Sequence, residues 1–206
     1  LNKINEVVTD IYDQLDEITK VYNLQTSDLS NLNDIRMNLE RINSNYKSLK
    51  DHTEFNNNFA FSKLVHEVEG LSNELAHSEV MLDEILDTIG NMHDDEVRAR
   101  QQLEEIKLVL KDSKAQMRDY KLPVIPDSYY VELNEANVAI REIVKELDKK
   151  PITIEVLNTR VDTARDLVLK LYTKPKSMMK NAMFAEKSII AEKLLKKGYY
   201  KFKFTI

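Results

Sequence analysis

Apolar residues recur along this chain in steps of three and four, and the steps hold long enough to outline an architecture. Leu1, Ile4, Val8, Ile11, Leu15, Ile18 and Tyr22 form the first such stripe. On an α-helix that spacing gathers the side chains on one face. Asn23, Thr26, Ser27 and Asp28 interrupt it, with Asp28 expected to cap the next helix. The second stripe, Leu32, Ile35, Leu39, Ile42, Tyr46 and Leu49, gives out in "DHTEFNNN", where consecutive asparagines disfavour a helix. The third runs through Leu64, Val68, Leu71, Leu75, Ser78, Leu82, Ile85, Ile89, Met92, Glu96, Ala99, Leu103, Ile106 and Leu110 without a slip, past Gly70 and Gly90. It predicts one helix over about 60–122, roughly 90 Å long at about 1.5 Å per residue.

Pro123 and Pro126 stop that helix, because a proline ring removes a donor and crowds the preceding turn. Asp127 and Ser128 are candidate caps for a fourth helix with the stripe Tyr129, Leu133, Ala136, Ile140, Ile143 and Leu147. The chain turns again at "DKKPIT", around Pro151, with Thr153 as a cap. A fifth stripe follows: Leu157, Val161, Ala164, Val168, Leu171, Met178, Ala182, Ala185 and Ile189. Pro175 falls inside it. A proline in a helix interior costs about 3 kcal/mol, so this helix is expected to kink or end near 171–174, leaving a separate helix over 178–196.

The turns near 23–28 and 122–127 lie about 100 residues apart, as do those near 51–59 and 149–153. The expectation is an all-α chain of extended, antiparallel three-helix (spectrin-like) repeats sharing a long continuous helix. The first repeat is placed at 1–92, the second at 93–190, and 191–206 forms a basic aromatic tail. Pro123, Pro126 and Pro151 are assigned as structural turns. A parallel coiled-coil dimer competes with this architecture, since heptads alone do not set strand number; the turns at 122–127 and 149–153 argue against it.

Composition narrows the functional classes. The 206 residues include no cysteine, no tryptophan, 3 Gly and 4 Pro, which rules out disulfides and leaves little loop chemistry for an α/β enzyme. A charged fraction of 32% and an apolar fraction of 42% suit an extended helical protein. The chain opens at Leu1 rather than Met, which suggests a piece of a longer protein, and it holds no apolar run of about 18 residues that would span a membrane. The net charge of −5 conceals a gradient. Residues 1–100 carry 20 acidic and 9 basic side chains, whereas 101–206 carry 15 and 21. Solvated helix faces explain most such patterns, and a charged partner is the sharper alternative.

No glycine-rich phosphate loop, HExxH or nucleophile elbow is present, so no catalytic, cofactor-binding or metal-binding residue is assigned. His52, His66, His77 and His93 read as exposed or rim residues; His66 and His77 share a helix face but stand about 16 Å apart along it. The carboxylates of "HDDE", residues 93–96, fan around a helix rather than converge. Met92, Met117, Met178, Met179 and Met183 fit gap-filling roles beside the stripes. The end, "KLLKKGYYKFKFTI", interleaves five lysines with four aromatics and no acid, and Tyr200, Phe202 and Phe204 alternate as in a strand. Anionic lipid or single-stranded nucleic acid would attract such a segment; a disordered or foreign terminus is the plainer reading, and no nucleic-acid partner is assigned.

Long stretches of the sequence also resemble a known family. "LPVIPDSY" and "KKPITIEVLN" within residues 99–172, and the earlier "VYNLQTSDLSNLNDIR" and "FSKLVHEVEGLSNELAHSEVMLDEIL", are similar to the C-terminal part of the cytoplasmic spectrin-like repeat region of the EzrA septation ring formation regulators. The likeness covers roughly residues 1–190. It implies a non-enzymatic regulator and scaffold of bacterial cell division that binds the tubulin-like protein FtsZ and other division proteins and restrains ring assembly. It also implies an arc of spectrin-like repeats at the cytoplasmic face of the cell membrane, at the septum, with an N-terminal membrane anchor outside this stretch. Family members usually end in a motif containing Asn-Arg-Tyr-Arg, linked to midcell placement; here "AEKSII" is followed by "AEKLLKKGYYKFKFTI". A spectrin-like spacer without a specific filament partner is the alternative.

Overall fold

A computed structural model describes residues 2–55 and 61–196, with the side chains of 54, 55 and 191–196 outside that description. The chain is all-α: α1 (Asn2–Val21), α2 (Thr26–Phe55), α3 (Phe61–Asp119), α4 (Asp127–Asp148) and α5 (Ile154–Lys196). Among the described residues the one β-type contact is an isolated parallel bridge between Tyr22 and Ile152. The chain divides into two compact units, Leu1–Arg98 with Glu146–Leu157, and Ala99–Lys145 with Asn158–Ile206. Residues Phe61–Arg98 of α3 therefore belong to the first unit and Ala99–Asp119 to the second.

In the first unit the stripes are the core. Ile4, Val8, Ile11, Leu15 and Ile18 of α1 pack with Leu32, Ile35, Leu39 and Ile42 of α2 and with Leu71, Leu75, Leu82 and Ile85 of α3. Each large aliphatic side chain buried this way contributes about 1.5–3 kcal/mol of transfer free energy. The short connection folds α2 back along α1, and Arg36 reaches Asp16 at 3.2 Å and the Leu15 carbonyl at 3.4 Å. Arg41 pairs with Glu74 of α3 at 3.2 Å. Ser78 fills a stripe position with no exposed surface because its hydroxyl donates to the Glu74 carbonyl one turn back, at 3.2 Å.

The second unit is built in the same way. Ala99, Leu103, Ile106, Leu110 and Met117 of α3, Tyr129, Ala136 and Ile143 of α4, and Val161, Ala164, Val168 and Leu171 of α5 are all buried. Lys174 of α5 forms an ion pair with Glu132 of α4.

The helix ends differ in detail from expectation. α2 starts at Thr26, so Asp28 lies inside its first turn and Gln25 occupies the cap position, its carbonyl accepting from Leu29 N–H at 3.0 Å. There Asp28 meets the positive end of the helix dipole instead of capping it. α2 also runs through "DHTEF" to Phe55, while the three asparagines lie outside the described residues. α3 stops at Asp119, short of Pro123, because Lys121 takes a left-handed conformation with φ 44° that breaks the helical run. Pro123 and Pro126 lie between α3 and α4, and Pro151, preceded by a cis peptide bond, lies between α4 and α5.

The largest departure is at Pro175. No break occurs at 171–174: α5 is continuous from Ile154 to Lys196, with Pro175 inside it and fully buried. The proposed tail therefore begins as helix over 191–196, and the strand-like "YYKFKF" lies outside the described residues.

Candidate functional site

Buried polar groups connect separate helices in two clusters, one in each unit. The first gathers around Glu96, which sits on the α3 stripe and is 7% exposed. A buried carboxylate is costly unless hydrogen-bonded, and Tyr22, at the end of α1, donates its hydroxyl to Glu96 Oε2 at 2.6 Å. His93 Nδ1 lies 3.2 Å from the same hydroxyl. Beside Tyr22, the main chain of the α1–α2 turn is stitched to that of the α4–α5 turn. Asn23 N–H donates to the Ile152 carbonyl at 2.8 Å, and Ile152 N–H donates to the Val21 carbonyl at 2.7 Å. Side chains repeat the link: Asn23 Nδ2 donates to Thr153 Oγ1 at 2.8 Å and Gln25 Nε2 to Glu155 Oε1 at 3.2 Å. The Thr153 hydroxyl, directly before α5, thus accepts from Asn23, and its carbonyl accepts from Leu157 N–H at 3.0 Å.

The second cluster accounts for Pro175. A proline cannot donate to the carbonyl four residues back, which here belongs to Leu171. That carbonyl instead accepts the hydroxyl of Ser113, from α3, at 2.9 Å, and Ser113 has no exposed surface. The α3 stripe carries a serine three residues after Leu110 where an aliphatic side chain would leave a buried acceptor unmade. Tyr129 of α4 completes the group. Burial pushes its phenol above the ordinary value, the neighbouring Tyr130 adds to the rise, and a hydrogen bond with Ser113 offsets part of it.

The residues singled out in the sequence are mostly scattered. His66 and His77 are exposed, and His52 Nδ1 contacts the Ser48 carbonyl at 2.7 Å. "HDDE" does fan out: Asp94 is exposed, Asp95 pairs with Arg98 at 3.0 Å, and Glu96 turns inward. Met117 is buried, Met92, Met178 and Met179 are half-buried, and Met183 is 48% exposed. Among the described residues no group of three or more His, Asp or Glu is placed to hold a metal, and no helix is long and apolar enough to cross a membrane. Sequence reasoning missed the roles of Glu96 and Ser113; Glu96 was legible as a polar residue on the third stripe, and Ser113 lies three residues beyond Leu110, where that stripe was ended.

The fold and these clusters define a class: an all-α protein of long amphipathic helices whose buried polar groups hold helices in register. Comparison with known proteins gives the family. The profile of the septation ring formation regulator EzrA matches residues 1–190, and the chain belongs to that family. The septation ring formation regulator EzrA of Bacillus licheniformis is 21% identical over 189 residues, covering 92% of this chain and 33% of that protein. Its counterpart from a Geobacillus species is 23% identical with the same two coverages. That of Bacillus pumilus is 20% identical over 162 residues, covering 79% of this chain and 28% of the relative. The chain thus spans about a third of the length of the first two relatives. No solved structure matches it.

Proposed function

We propose that this chain is part of a non-enzymatic cell-division regulator and scaffold that acts at the septum, on the cytoplasmic face of the cell membrane. Its mechanism is binding. Helices held in fixed register by the two polar clusters present their outer faces to FtsZ and to other division proteins, and filament assembly is restrained as a result. Attachment to the membrane comes from an anchor outside this stretch. The observation that carries the reading is the family match over residues 1–190.

The test is co-sedimentation with FtsZ assembled in the presence of nucleotide. Enrichment of the chain in the filament pellet, together with less pelleted filament as its concentration rises, supports the proposal. Binding of the isolated chain is expected to be weak, since avidity from membrane attachment and further repeats is lost. Equal sedimentation of the chain with and without filaments would leave it a spectrin-like spacer.

A further inference from the structure

Beyond Lys174 the fifth helix keeps its stripe, but among the described residues little covers it. Val161, Ala164, Val168 and Leu171 are buried, yet Met178, Met179 and Ala182, in the same steps, are half-buried, and Ile189 and Ile190 are 52% and 50% exposed. An open groove runs along this stretch. Tyr120, just past the end of α3, forms one wall, and Met179 and Met183 form the other. Phe184, 75% exposed, extends the apolar surface. Lys176, Lys180 and Lys187 line the groove, against one carboxylate, Glu186.

We propose that this groove docks an acidic amphipathic helix of a partner protein. Single exposed apolar residues are ordinary, but a contiguous apolar groove with a polar rim marks an interaction surface. Anchors at helical spacing on the α5 side suit a helix that offers its own apolar stripe. The lysine rim selects the sign of the partner's charge. It disfavours two occupants that the chain itself could supply. Residues 197–206 carry Lys197, Lys201 and Lys203 and no acid, and the same stretch of a second copy would bring the same lysines. A concave groove walled by Tyr120 and bearing Glu186 also fits a helix better than the flat surface of a bilayer, on which amphipathic helices lie by a convex face.

The probe is a fluorescein-labelled synthetic helix with leucines at i, i+3, i+4 and i+7 flanked by glutamates, titrated with the full chain and followed by anisotropy. Saturable binding that weakens as salt rises is expected, with a scrambled peptide and a lysine-flanked peptide binding about tenfold or more weakly. The triple variant Lys176→Glu, Lys180→Glu, Lys187→Glu should lose binding by about tenfold or more, and so should Ile189→Asp. These substitutions are at the surface, and unchanged circular dichroism would show that the fold survives them. Equal binding of the scrambled peptide, or unchanged affinity in both variants, would overturn the proposal. It would also be overturned if vesicles containing anionic phosphatidylglycerol captured the chain while the acidic peptide did not bind. A chain ending at residue 196 that binds the peptide when the full chain does not would assign the groove to its own tail instead. No filament protein enters this experiment, so its outcome and that of the filament test are independent.

Discussion

Ser113→Ala offers the sharpest test of how α5 tolerates its proline. The variant removes the donor to the Leu171 carbonyl, which Pro175 cannot replace. Leu171, Ser113 and Pro175 are all fully buried, so water cannot substitute. A buried acceptor left unmade costs about 1–3 kcal/mol, and the variant is expected to lose that much in urea unfolding followed by circular dichroism. Pro175→Ala works in the opposite direction. It restores an N–H to the helix, recovering up to about 3 kcal/mol of proline penalty, while losing two ring carbons worth roughly 1.6 kcal/mol of burial. A net gain of about 1 kcal/mol is expected. The decisive quantity is the double-mutant cycle. In the Pro175→Ala background the new backbone N–H can donate to the Leu171 carbonyl. Ser113→Ala should then lose most of its effect, giving a coupling of about 1 kcal/mol or more. Any loss of the Ser113–Tyr129 hydrogen bond is common to both backgrounds and cancels. If Ser113→Ala costs the same with the proline replaced as with Pro175 in place, the hydroxyl does not compensate for the proline and the explanation fails.

Further expectations concern the first junction, the long helix and alkaline pH. Tyr22→Phe withdraws a 2.6 Å bond from the buried Glu96 carboxylate and should cost about 1.5–3 kcal/mol in urea unfolding, the range for hydrogen bonds to charged groups; a loss below ~0.5 kcal/mol would show that the bond has little net value. Gly70 and Gly90 lie inside α3, and beyond the helix's own neighbouring backbone a Cβ at either would meet nothing within 4 Å. Alanine at each should therefore stabilise by about 0.5–1 kcal/mol, visible as a higher urea midpoint, whereas a lower midpoint would reveal a packing role for the bare backbone. Tyr129 has a raised pKa in the folded chain because it is buried. The unfolded chain ionises first, so this stabilisation is complete below about pH 10 and is lost as pH climbs through the folded value. Tyr129→Phe should flatten part of the alkaline fall in stability, and an unchanged slope above about pH 10 would count against it.

The spacing of apolar residues outlined five stripes and most of the core, although Leu133 and Ile140 are half-buried, Ala185 and Ile189 are exposed, and the fifth stripe forms one helix rather than the two expected. Leu15, Ile35, Leu39, Ile85, Leu157 and Leu171 are all stripe positions in the sequence, and all are fully buried in the fold. Periodicity carries that information because a helix repeats its face every three to four residues whatever it packs against. The family resemblance was likewise legible in the sequence, since it rests on long stretches of residues. Helix ends were less legible. Asp28 looks like a cap in sequence, but where α2 begins is set by the turn that pairs with Ile152, far along the chain from Tyr22. The fate of α5 at Pro175 was not legible at all. Local propensity says that the helix breaks, because the missing bond and the crowded carbonyl are both local. What lets it continue is a hydroxyl from α3, Ser113, which only the packed unit brings to the Leu171 carbonyl. Glu96 has a related logic: its stripe position marks it as facing inward, but only the fold places the Tyr22 hydroxyl against it. Sequence periodicity determines which face of each helix is buried. Tertiary structure decides which polar atoms meet within those faces, because hydrogen-bond partners far apart in the chain leave no period to read.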